Sequence, residues 1–79
     1  MDIEIRYLAS ARAAAGISSE RVDPASLSTI LTQVTANNPA LARVIEQCSF
    51  LVDSVAVNDM DMPIKAGSFI DVLPRFAGG

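Results

Sequence analysis

The residues best supplied for chemistry stand at the end of the chain, where Asp71-Val72-Leu73-Pro74-Arg75-Phe76-Ala77 runs into Gly78-Gly79. Glycine carries no side chain, so a double glycine can thread a narrow channel and bring its backbone close to a nucleotide phosphate or a substrate. The reactive group is then the α-carboxylate of Gly79. Such a group titrates near about 3.5, so at neutral pH it is an anion and a poor electrophile. It has to be activated first, and adenylation by ATP is the usual chemical route. The activated acyl group can then accept sulfur to give a thiocarboxylate, or an amine to give an isopeptide. A double glycine alone is also what many frayed termini present, so its meaning depends on what carries it.

Other reactive groups are scarce. The sequence holds one cysteine, Cys48, and no histidine. That argues against a disulfide framework, a zinc or iron–sulfur centre and histidine acid–base catalysis. No bound cofactor is expected. Cys48 reads as a small buried hydrophobe rather than a sulfur-relay thiol. Six basic against nine acidic side chains give a net charge of −3. No Lys/Arg stripe is present to neutralise phosphates, which makes nucleic acid a poor candidate partner. The opening Met1-Asp2-Ile3-Glu4-Ile5-Arg6 alternates charged with apolar residues and has neither a basic leader nor a long apolar run. A signal peptide and a membrane span are therefore not expected, and the expected location is the cytoplasm.

The elements that must carry the terminus follow from periodicity. Ile3, Ile5 and Tyr7 alternate with Glu4 and Arg6, the period-two pattern of a half-buried strand. Leu8 to Ala15 is rich in alanine and stops at Gly16, which predicts a short helix with a left-handed cap. Ser18 to Val22 fits a weak edge strand pairing with the first. Ser26 can cap a main helix in which Leu27, Ile30, Leu31 and Val34 share one face, ending around Asn37-Asn38-Pro39. Ala40 to Gln47 offers a second short helical piece that would bury Leu41, Val44 and Ile45. Phe50-Leu51-Val52 and Val55-Ala56-Val57 read as one or two strands, ending at Asn58-Asp59. Met60 and Met62 are expected to pack in a hairpin loop, followed by a turn at Lys65-Ala66-Gly67 and a last strand from Phe69 to Leu73.

That order is α+β, and the compact solution is a β-grasp: a mixed sheet with its helices on one face and the first and last strands parallel at its centre. Residues 1–79 form one domain of this kind. Pairing is expected to fade at Pro74, leaving 75–79 as an extended, flexible tail that reaches roughly 17 Å from the body. Alternation that turns Ile70 and Val72 inward turns Phe69, Asp71 and Leu73 outward, where they either form an apolar docking patch beside the tail or lie under a further layer. Phe76 stands too far out for the core and reads as an anchor in a partner groove. Arg75 either meets an acidic partner surface or is solvated.

Several stretches together resemble a known family, the small subunit of molybdopterin synthase, within the ubiquitin-like sulfur carriers that also serve thiamine synthesis. They are Arg6-Tyr7-Leu8-Ala9-Ser10-Ala11-Arg12 through Gly16, Val55-Ala56-Val57-Asn58, and Pro63-Ile64 through Gly67 followed by Ile70-Asp71-Val72-Leu73-Pro74 and Gly78-Gly79. Ser68 and Arg75 depart from the pattern, at positions where relatives often carry an acidic residue and a second proline. The resemblance implies that Gly79, with Gly78, is adenylated by an activating enzyme of the E1-like class and converted to a thiocarboxylate. The tail would then enter the large subunit of molybdopterin synthase to sulfurate cyclic pyranopterin monophosphate. Such a chain is not an enzyme on its own. Phe69, Leu73, Arg75, Phe76 and Ala77 are the candidate partner-binding residues, and no metal site is implied. Two alternatives remain open: a sulfur carrier for thiamine or cysteine synthesis, and a ubiquitin-like modifier or interaction module. Lys65 is the only lysine, which argues weakly against self-conjugated chains.

Overall fold

The alternation in Ile3–Tyr7 becomes strand β1 of a computed structural model that describes residues 2–75, with Ile3, Ile5 and Tyr7 buried and Glu4 and Arg6 turned outward. Helix α1 (Ala9–Ala15) follows and is closed by Gly16 at φ 80°, where its N–H bonds the Arg12 carbonyl. A side chain is disfavoured at that angle, which is why glycine stops the helix. Strand β2 (Ser19–Val22) returns antiparallel along β1 as the sheet edge. Ser26 caps α2 (Leu27–Thr35) by accepting from the Thr29 N–H at 3.2 Å. Pro39 opens α3 (Pro39–Ile45), where its missing N–H costs nothing. Strands β3 (Cys48–Val52) and β4 (Val55–Val57) form a hairpin, and β5 (Phe69–Pro74) completes the sheet.

Strand order is β2-β1-β5-β3-β4, with β5 parallel to β1 and antiparallel to β3. This is the ubiquitin-like β-grasp, with the expected central pair. One face of the sheet supplies Ile3, Ile5, Tyr7, Phe50, Ile70 and Val72 to the core, against Ala11 of α1, Leu27, Ile30 and Leu31 of α2, and Leu41 of α3. Each large side chain so buried contributes about 1.5–3 kcal/mol before the entropy of ordering is subtracted. Val34, Val44 and Ile45 prove only partly buried, packing at the margin of this layer.

Two differences from the sequence reading concern the site. Pro74 is the last paired residue of β5, opposite Cys48, and pairing does not stop there: the Arg75 N–H donates to the Gln47 carbonyl at 2.9 Å. The proline is tolerated because odd-numbered residues of β5 exchange bonds with β3. The nitrogen of Pro74 therefore faces the β1 side, where β1 has already ended. The segment after β4 is also not a simple hairpin loop. The Ser28 N–H donates to the Met60 carbonyl at 2.8 Å and the Leu27 N–H to the Met62 carbonyl at 3.0 Å. The first amides of a helix lack partners within it, and those of α2 draw this loop onto themselves. Met62 packs against the core while Met60 stays exposed.

Candidate functional site

The base of the tail is fixed at one end of the central strand pair. There Arg75 is held twice, by its N–H on Gln47 and by its Nε donating to the Ser49 hydroxyl at 3.0 Å. Of the residues assigned to the terminus by sequence, Phe76, Ala77, Gly78 and Gly79 lie outside the described residues. A notch of about 200 Å³ flanks the base, lined by Ser10, Arg43, Val44, Gln47, Pro74 and Arg75. From Arg75, four further residues span at most roughly 14 Å, enough to cross the wall of a neighbouring protein's site.

The outward face of the sheet separates the two residues that sequence alternation had grouped. Leu73 is open, 41% exposed. Phe69 is half-buried, and the guanidinium carbon of Arg6 stands 4.3 Å from its ring centroid. Arg6 also grips Asp71 in bidentate fashion, Nε to Oδ1 at 2.6 Å and Nη2 to Oδ2 at 3.0 Å. These bonds to the carboxylate raise the Arg6 pKa further. No further layer covers this face among the described residues: Glu4, Arg6, Ser49, Leu51, Phe69, Asp71 and Leu73 all keep some exposure. The register sets Leu73 beside Ser49 and Asp71 beside Leu51, so the surface next to the tail is built from β3 as well as β5. Sequence reasoning had not named Ser49, Leu51 or Arg6 as site residues. Burial alternates along Cys48–Val52, and the polar Ser49 between Cys48 and Phe50 carries that signal in the sequence, whereas the apolar run Phe50-Leu51-Val52 hides it for Leu51.

Cys48 is 4% exposed, its Sγ 3.2 Å from the Val44 carbonyl, and burial pushes the thiol pKa up. A thiol held protonated is a weak nucleophile, so it behaves as a core residue. Among the described residues no cluster of three His, Cys, Asp or Glu side chains could hold a metal ion, and no helix is long and apolar enough to cross a membrane.

Comparison with known proteins is consistent in both sequence and structure. Residues 5–79 match the model of the ThiS family. The molybdopterin synthase sulfur carrier subunit of Chlamydomonas reinhardtii is 30% identical over 83 residues, covering 100% of both chains. Small archaeal modifier protein 1 from Methanosarcina acetivorans superposes with a TM-score of 0.85 at 20% identity, over 99% of this chain and 96% of that one. The complex of subunits 1 and 2 of the molybdopterin-converting factor from Helicobacter pylori contains a chain that matches with a TM-score of 0.75 at 19% identity, over 100% of both. At such identities the two solved structures establish the fold.

Proposed function

The chain belongs to the ThiS family, and on that premise we propose that it is a sulfur carrier, the small subunit of a molybdopterin synthase. The observation that carries the reading is the full-length match to the Chlamydomonas reinhardtii sulfur carrier subunit, together with a family match that runs through Gly79. A carboxylate oxygen of Gly79 attacks the α-phosphate of ATP on an E1-like activating enzyme and releases pyrophosphate. Hydrosulfide, or its equivalent from a persulfide donor with a thiol reductant, displaces AMP from the resulting anhydride, which leaves a thiocarboxylate. The loaded tail enters the large synthase subunit, where its sulfur bonds to a carbon of cyclic pyranopterin monophosphate; water then cleaves the resulting thioester, leaving the sulfur on the pterin and returning the Gly79 carboxylate.

The division of labour follows from what this chain contains. It has no histidine and one buried cysteine, so the catalytic groups belong to the partners, and the chain itself is not a catalyst. Its part is to present the terminus and to dock. A fixed base at Arg75 limits where the terminus can go, which lowers the entropy lost when it enters a channel. Leu73 beside that base supports docking as the apolar contact, with Arg75, Phe76 and Ala77 lying further along the inserted segment.

Reconstitution tests the pathway. The thiocarboxylated chain, mixed with a purified large subunit of molybdopterin synthase and cyclic pyranopterin monophosphate, is expected to yield molybdopterin. A chain that loads sulfur yet yields no product with a large subunit shown to be active with its own carrier belongs to another sulfur pathway.

A further inference from the structure

A cavity lies on the far side of β3 from β5. It is a groove of about 500 Å³ whose lining includes Leu31, Thr32, Ile45, Phe50, Met60 and Arg75. Its origin is local. Strand β4 pairs with β3 only from Phe50↔Val57 to Val52↔Val55. After Val57 the chain leaves β3, because the free amides of α2 hold Met60 and Met62. A gap therefore opens between the start of β3, the departing loop and α2. Leu31 and Phe50, 6% and 7% exposed, form its apolar floor.

The backbone facing that gap is a strand edge left without a strand partner at one residue, Cys48. Gln47 accepts from the Arg75 N–H and the Asp53 N–H donates to Phe69, so odd-numbered residues of β3 turn their peptide groups toward β5. Even-numbered residues turn theirs the other way. Phe50 and Val52 meet β4, whereas Cys48 precedes the paired stretch; alternation turns its N–H and C=O to the groove side, where no described strand pairs with it, although the residue as a whole is only 4% exposed. An apolar floor beside an unpaired strand edge is the arrangement that accepts an extended peptide as an added strand.

We propose that this groove docks a short extended segment of the protein that receives the tail, paired to the backbone of Cys48, with an apolar side chain on Leu31 and Phe50 and a carboxylate at Arg75. The choice of partner rests on the carrier reading above; the site itself does not. Arg75 is both the rim of the groove and the base of the tail, so a protein that draws in Phe76 to Gly79 is already within a side chain's length. The Nε of Arg75 is committed to Ser49, which leaves the terminal N–H groups of its guanidinium for an incoming carboxylate. Glu46 at the same mouth disfavours a second acid in the peptide.

The test is amide-resolved hydrogen exchange on the full chain with and without a purified large subunit of molybdopterin synthase, joined to affinities for Thr32→Trp and Gln33→Trp. Thr32 is exposed and lines the groove, whereas Gln33 is exposed on the same helix and does not. In the free chain the Cys48 amide is expected to exchange faster than those of Ser49 and Leu51. The partner is expected to slow it by about tenfold or more, the scale of one well-made hydrogen bond. Thr32→Trp, its fold checked by circular dichroism, is expected to weaken binding by a similar factor, while Gln33→Trp binds as the parent does. A complex in which the Cys48 amide is unchanged and Thr32→Trp binds normally overturns the groove and leaves the carrier reading standing. Sulfur loading without any complex also overturns it, because the site then lacks its partner; a chain that neither loads nor binds removes the carrier reading as well.

Discussion

Tyr7 and Cys48 are acids that the fold keeps neutral. The Tyr7 hydroxyl is buried and donates to a Glu20 carboxylate oxygen at 2.6 Å; burial and then that carboxylate raise its pKa far above the ordinary 10.0. Burial likewise lifts Cys48 above 9.0. A folded pKa above the unfolded one gives stability that is complete below the unfolded value and lost as pH rises through the folded value. The urea midpoint is therefore expected to fall with rising pH, from about 9 for the thiol and from about 10 for the phenol. Cys48→Ala should remove the earlier part of the fall and Tyr7→Phe the later part, the latter costing about 1 kcal/mol at neutral pH. On the outward face, Leu73→Asp is expected to abolish binding to the tail-receiving subunit while the melting temperature of the isolated chain holds; unchanged binding would remove Leu73 from the interface. In β1 and β5 the inward and outward residues are legible from alternation alone. The capping of Phe69 by Arg6 was not, because it depends on β1 and β5, far apart in sequence, lying in parallel register.

Turn and cap residues decide where the elements end. The β3–β4 hairpin turns through Asp53 and Ser54, both with positive φ (50° and 70°), the geometry in which glycine is favoured at the second position. Asp53 is also tied to the sheet, its Oδ1 accepting from the Phe69 N–H at 3.1 Å. Ser54→Gly is expected to stabilise by about 0.5–1 kcal/mol, offset in part by the added freedom of the unfolded chain. A differential scanning calorimetry trace should show this as a rise of a few degrees. Ser26→Ala removes the cap of α2 and is expected to cost about 1 kcal/mol by chemical denaturation. The Ser26 and Gly16 caps were readable from residue type and spacing. By sequence Asn38 marks only an ending, yet its side-chain Oδ1 caps α3 by accepting from the Leu41 N–H and its side-chain Nδ2 donates to the Ala14 carbonyl of α1. The latter contact crosses 24 residues and has no local signature. The course of the loop after β4 has no local signature either, because it is set by the first amides of α2, which hold Met60 and Met62.

For the molecule as a whole, the sheet topology places a strand that bears the terminus at the centre of the fold and roots it on β3 through Arg75. Body and terminus are then separable in energy, since the apolar core cluster ends at Val72 and the last buried residue of β5 is Pro74, both ahead of the terminal glycines. That separation explains why the β-grasp was legible from element order, while the chemistry of the terminus came from residue type and resemblance. The central claim is that the Gly79 carboxylate carries sulfur, and deletion of Gly79 should leave the melting temperature unchanged while removing all loading. The most direct measurement is the intact mass of the full chain after incubation with an E1-like activating enzyme, ATP and a sulfur donor, beside the Gly79-deleted chain. The account predicts a gain equal to exchange of one oxygen for one sulfur in the full chain and none in the deleted one. No gain in the full chain with an enzyme proven on another carrier, or an equal gain in both chains, would contradict it.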